Sequence, residues 1–125
     1  MKRVTSIGGI FFKCRDRKNT MAWYEKHLGI PMQPWGAQFY PEETTEDSIK
    51  PYSVLSMFEE STDYLAPSEA SFMINFRVAD LDALLEQLRA EGVTIVGEPM
   101  ADEFGKFAWI MDPEGNKIEL WEQVK

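Results

Sequence analysis

At 125 residues, 44% of them hydrophobic, the chain has the length of one domain and enough apolar surface to fold without disulfides or metal. Thirteen Lys and Arg against twenty-one Asp and Glu give a formal net charge of −8, which repels phosphate backbones and anionic lipids and sets nucleic acid and membranes aside as partners. No run of about 18 apolar residues occurs, the single cysteine, Cys14, cannot form an internal bridge, and the start MKRVTSIGGIFFK has too short an apolar stretch for a signal peptide, so a reducing, cytoplasmic setting is expected.

The first predicted strand is VTSIGGIFFKC (4–14), rich in β-branched and aromatic residues. After the turn-forming CRDRKN, Met21, Tyr24 and Leu28 recur at helical spacing and Gly29 stands where a left-handed residue would end a helix, which predicts a helix over about 18–28. Three short strands follow, IPMQPW, AQFY and YSVLSMF. Much of the acidic excess falls in PEETTED (41–47) and EESTD (59–63), which read as solvated loops. Stretches 41–51 and 59–70 are expected to rim any cavity. STDYLAPSEA (61–70) has the Ser, Pro and Ala content of a linker within the domain.

SFMINFRV (71–78) opens a second half. Leu81, Leu84, Leu85 and Leu88 repeat at i, i+3, i+4 and i+7, with Asp80 or Asp82 as N-cap and Gly92 past the end, so a helix is predicted over about 81–91. VTIVGEP, FAWIM and KIELWEQ then read as strands, the last two joined by the turn DPEGN. The order is βαβββ, twice. Phe12 falls on Phe76, Asp16 on Asp80, Gly29 on Gly92 and LSMFEE on IELWEQ, at a constant offset that argues for internal duplication. The expected fold is α+β: one domain over 1–125, with two βαβββ modules (about 1–60 and 71–125) forming a curled mixed β-sheet around a cavity.

Strand alternation divides the residues between two faces. Ile118 and Leu120, Ile10, Phe12 and Cys14, Phe72, Ile74, Phe76 and Val78, and Leu55 and Met57 form the uniformly apolar set that the helices must cover. Opposite them lie Lys117, Glu119 and Trp121; Gly9, Phe11 and Lys13; Met73, Asn75 and Arg77; and Val54, Ser56 and Phe58. That second face mixes aromatics with a few polar groups, as small-molecule pockets do.

The stretches IGGIFFKCRD and MAWYEKHLGI at the front, FRVADLDALLEQLRAEGV in the middle and MDPEGNKIELWE at the end together resemble the vicinal oxygen chelate superfamily, which holds glyoxalase I, bleomycin-resistance proteins, extradiol dioxygenases and methylmalonyl-CoA epimerase. The resemblance implies paired βαβββ modules around one cavity, and commonly a homodimer. In its metal-dependent members each of four strands supplies one ligand, two histidines and two glutamates; those positions fall here on Gly9, Ser56, Met73 and Glu119. One carboxylate with a hydroxyl and a thioether makes a poor site for a divalent ion, so no metal and no cofactor are expected. His27 reads as a capping residue in the last turn of a helix and Cys14 as a small buried hydrophobe.

Three functions follow. The leading one is a metal-independent protein that binds a small organic ligand, cationic or neutral, with Trp35, Phe58, Met73, Asn75, Arg77, Trp109, Glu119 and Trp121 as candidate contacts. The second is a lyase or isomerase in which Glu119, buried beside Trp121 and Met73 with a raised pKa, is the general base, and Arg77 or Lys13 stabilises an oxyanion or enolate. The third is a ligand-free dimerisation domain.

Overall fold

The computed structural model describes residues 3–40 and 51–124; the acidic stretch 41–47 and nearly all of the expected rim segment 41–51 lie outside them. The elements run β1 (Val4–Cys14), α1 (Arg17–Leu28), β2 (Gly36–Phe39), β3 (Ser53–Glu59), β4 (Phe72–Val78), α2 (Leu81–Ala90), β5 (Met100–Asp102), β6 (Gly105–Met111) and β7 (Lys117–Gln123). All strands join one curled sheet in the order β2-β3-β1-β4-β7-β6-β5. β3 is parallel to β1 and β7 parallel to β4, while β1 and β4 run antiparallel between them. This symmetric layout is that of a duplicated module.

Two predicted strands shrink to single bridges. IPMQPW keeps only the Gln33–Gly36 bridge, because Pro31 and Pro34 have no N–H to give a ladder. VTIVGEP bonds β6 through Val96 N to Trp109 O (2.8 Å) and Met111 N to Thr94 O (3.1 Å), until Gly97, at φ 67°, turns the chain away. Pairing resumes in β5, which alternation did not reveal. At α2 the expected cap forms, Asp80 accepting from the backbone N–H of Ala83 at 3.1 Å, and α1, where no cap was anticipated, opens in the same way with Asp16 accepting from Asn19 N–H at 3.1 Å. Gly29 closes α1 in the left-handed region.

The convex side is unevenly covered. Leu81, Leu84, Leu85 and Leu88 of α2 form one cluster with Val78, Ala108 and Leu120, so the leucine stripe finds its sheet. No residue of α1 is buried. Its Met21 and Tyr24 are half-buried, Leu28 and Trp23 are exposed, and Ile7, Ile10 and Phe72 on the sheet beside it also remain exposed. Instead α1 is tied down by Arg17, which donates to the carbonyls of Met57 (2.5 Å) and Pro34 (2.6 Å). Among the described residues, no helix is long and apolar enough to cross a membrane.

Candidate functional site

The concave face divides at Glu119. Register places Asn75 beside Glu119 across β4 and β7, and Gly9 beside Asn75 across β1 and β4. Glu119 is only 2% exposed. Its Oε1 accepts from Asn75 Nδ2 at 2.7 Å; its Oε2 accepts from Trp109 Nε1 at 2.8 Å and from the Tyr64 hydroxyl. A carboxylate offers about four acceptor positions, and the chain itself fills most of them. Burial, and then the charge of Glu119 and the hydrogen bond to it, push the Tyr64 phenol well above its ordinary range, so the ring stays a neutral donor.

On one side of Glu119 the face is sealed. Phe11, Leu65 and Met73 form a buried cluster with Val54, Phe58, Tyr64 and Trp109 against it, and Leu65 and Met73 are each 0% exposed. Tyr64 stacks on Phe58, ring centres 5.4 Å apart and planes 14° apart, and meets Trp109 edge-on at 6.3 Å. The Lys117 ammonium donates to the Tyr64 carbonyl at 2.7 Å and lies over both rings, 5.4 Å from Tyr64 and 5.6 Å from Trp109. The segment read as a linker is thus also a plug, held in the sheet by Tyr64 and Leu65.

On the other side a cavity of about 240 Å3 stays open. Trp121 and Phe107 stack at 5.9 Å, Tyr52 packs edge-on to Trp121 at 5.2 Å, and Trp35 and Phe104 complete the aromatic walls. Gln38, Val54 and Ser56 line the β2–β3 side, and Phe11, Asn75 and Glu119 also border the space. Asn75 Oδ1 is the one buried side-chain polar atom among the described residues without a hydrogen-bond partner. It stands over Gly8, where a Cβ would lie 2.2 Å from it and 2.9 Å from the Trp121 ring.

Of the expected binding residues, Trp35, Asn75, Glu119 and Trp121 border the cavity. Phe58, Met73 and Trp109 belong to the sealed half. Arg77 braces the wall from behind: its guanidinium lies 5.2 Å over Trp121 and donates to Ser6 Oγ, to the Tyr52 carbonyl and, at 3.0 Å, to Gln123 Oε1. Lys13 borders a different hollow with Arg15, Glu60, Glu69 and Ser71. His27 packs against Trp23 at 5.1 Å in the last turn of α1, and Cys14 is buried, which pushes its thiol pKa up. Tyr52, Phe104, Phe107 and Gln38 were not anticipated at the site; Phe107 shares its alternation with Trp109, and that signal could have found it. Of the four ligand positions, Gly9 offers no side chain, Met73 is packed among Phe11 and Leu65, Ser56 borders the cavity, and Glu119 is engaged as above. Among the described residues, no three His, Cys, Asp or Glu side chains gather as a metal would require.

The sequence model of the Glyoxalase/Bleomycin resistance protein/Dioxygenase superfamily matches residues 7–120. The chain belongs to this superfamily. Members of the same fold include methylmalonyl-CoA epimerase from Mycobacterium tuberculosis, at 22% identity and TM-score 0.64 over 100% of this chain and 92% of that one. A Streptomyces coelicolor methylmalonyl-CoA epimerase variant in complex with 2-nitronate-propionyl-CoA aligns at TM-score 0.71 with 22% identity, over 98% of this chain and 99% of that one. A Legionella pneumophila protein described as an NAD-dependent benzaldehyde dehydrogenase aligns at TM-score 0.61 with 16% identity, over 93% of this chain and 98% of that one. No curated protein sequence matches significantly. At these identities the superfamily neighbours share the fold, and fold alone does not carry a reaction across.

Proposed function

We propose that this chain is a metal-independent small-molecule-binding protein of the glyoxalase and bleomycin-resistance type, with its ligand in the cavity walled by Trp121, Tyr52, Phe107, Trp35 and Phe104. The observation that carries the reading is the state of Glu119. It is the one carboxylate at a superfamily ligand position, and Asn75, Tyr64 and Trp109 already hold it. With Gly9, Ser56 and Met73 at the other positions, the residues present do not fit a divalent ion, which asks for several hard donors.

The lack of a free cationic partner argues against the lyase or isomerase reading. A general base needs a partner for the charge that develops on the substrate. The guanidinium of Arg77 is engaged behind the Trp121 wall, and Lys13 borders another hollow. A purely dimerising domain would leave this aromatic cavity without a task. None of the described cavity residues is Lys, Arg or His, which speaks against a polyanionic CoA derivative like the one bound by the Streptomyces protein.

We propose further that the protein is a cytoplasmic homodimer. The exposed Ile7, Ile10 and Phe72 beside the loosely seated α1 are the apolar surface a second copy would cover, and a lone thiol such as Cys14 suits a reducing compartment. Ile10→Glu should then shift the sedimentation coefficient from dimer to monomer. Native mass spectrometry of protein purified without added metal tests the main reading: a metal-free species, with any adduct being organic, is expected, whereas stoichiometric Zn, Ni, Mn or Fe would overturn it.

A further inference from the structure

We infer, building on the binding reading, that the ligand is a small aromatic or heteroaromatic molecule that carries an N–H donor group, favoured when that group is cationic, and that carboxylates and phosphates are turned away.

Three observations converge on this. First, two of the polar groups bordering the cavity, Asn75 and Glu119, carry acceptor capacity that the described residues leave unfilled. Asn75 is 1% exposed; among the described residues its Oδ1 has no partner, and it packs against Gly8, where a Cβ would clash with it. Among the described residues, Glu119 Oε1 accepts one bond, from the same Asn75. A buried acceptor left unmatched costs free energy that a ligand donor recovers. Second, the charge is one-sided. Glu119 has no ion-pair partner among the described residues, whose salt bridges are Arg3–Glu91 and Lys106–Asp82. The cations around it are engaged elsewhere: Lys117 lies over the Tyr64 and Trp109 rings and donates to the Tyr64 carbonyl, Arg77 lies over Trp121 and donates to Ser6, Tyr52 and Gln123, and Arg17 donates to the Met57 and Pro34 carbonyls. An anion entering the cavity would meet Glu119 and no Lys, Arg or His among the described lining residues; a cation would meet both a carboxylate and aromatic faces.

Third, the chain displays an occupant of this kind on the sealed side. Duplication makes Phe58 the counterpart of Trp121. Phe58 carries a stacked aromatic ring, Tyr64, whose hydroxyl donates to Glu119. The open side has the corresponding ring in Trp121, flanked by Phe107, with Ser56, which the same offset pairs with Glu119, and Glu119 itself as acceptors at the cavity border. A ring with a donor completes it in the way that Tyr64 completes the other. The cavity volume of about 240 Å3 lies just under the range of about 300–1,000 Å3 usual for drug-sized ligands, so one or two rings fit.

The test is calorimetric titration of the whole protein at neutral pH with three probes of one shape: benzamidine (cationic donor), benzamide (neutral donor) and benzoate (anionic acceptor). Benzamidine should bind about tenfold more tightly than benzamide, the difference between a charge-assisted and a neutral hydrogen bond, and benzoate should show no heat. Glu119→Gln, checked first for an intact melting transition, should bring benzamidine and benzamide within about threefold of one another. Equal binding of all three probes, or a preference for benzoate, would overturn the inference and leave the binding reading standing. No heat from any probe would overturn both. The ranking in the unaltered protein decides the matter even where the variant does not fold.

Discussion

The two halves of the concave face are built from equivalent strands and end in opposite states. Where Phe58 lies, the chain brings Tyr64 and Leu65 back over the sheet and fills the space. Where Trp121 lies, the chain supplies walls and no filling. The difference teaches that one fold can spend the same surface on its own stability or on a ligand, according to what a connecting segment carries.

The largest effect expected from this contrast is in the plug. Leu65→Ala, at a fully buried position, should cost about 2–5 kcal/mol in chemical denaturation, whereas Phe104→Ala at the open rim should cost far less. Equal losses would erase the distinction between the halves. Next comes Tyr64→Phe, which leaves Glu119 one donor short and should cost about 1–3 kcal/mol. The same variant tests a pH effect. Tyr64 keeps its proton in the folded state to a higher pH than in the unfolded chain, where it leaves near pH ~10. Its contribution is therefore whole below that pH and is lost as pH rises above it, so the alkaline fall in melting temperature should be shallower in Tyr64→Phe.

A third substitution probes the border between the halves. Gly8→Ala drives a methyl into Asn75 Oδ1 and should cost about 1–3 kcal/mol, with the Trp109 and Trp121 indole N–H resonances both shifting in a nitrogen–proton correlation spectrum. An unmoved Trp121 signal would mean that the amide does not connect the sides. The smallest effect is Trp35→Ala. The ring is partly exposed, so stability should change by no more than about 0.5 kcal/mol, while affinity for an aromatic ligand falls. A large stability loss there would make Trp35 a structural residue instead.

Much of this was legible in the sequence, for reasons that particular residues make plain. Alternation put Glu119 and Trp121 opposite Ile118 and Leu120, and the leucine stripe of α2 and its cap Asp80 carry their geometry locally. The Phe58–Trp121 correspondence followed from a constant offset. The plug was not legible: STDYLAPSEA has no period, and Tyr64 and Leu65 reach the sheet only through tertiary packing. The same holds for Arg77, whose strand position set its face while Ser6, Tyr52 and Gln123 set its direction. Helix α1 misled in another way, since helical spacing of Met21, Tyr24 and Leu28 announces a helix without saying how deeply it seats. The runs 30–35 and 93–99 had strand composition, but their prolines and Gly97 outweighed it.

Tyr64 has one more implication. A ring tethered to the sheet by a short connection acts as a resident competitor, at an effective concentration in the millimolar range typical of short linkers. A dissolved molecule of ordinary affinity cannot displace it. The duplicated architecture offers two seats and the chain sits in one of them, so on the proposed binding role each polypeptide, despite its near-symmetry, is expected to take up one ligand and not two.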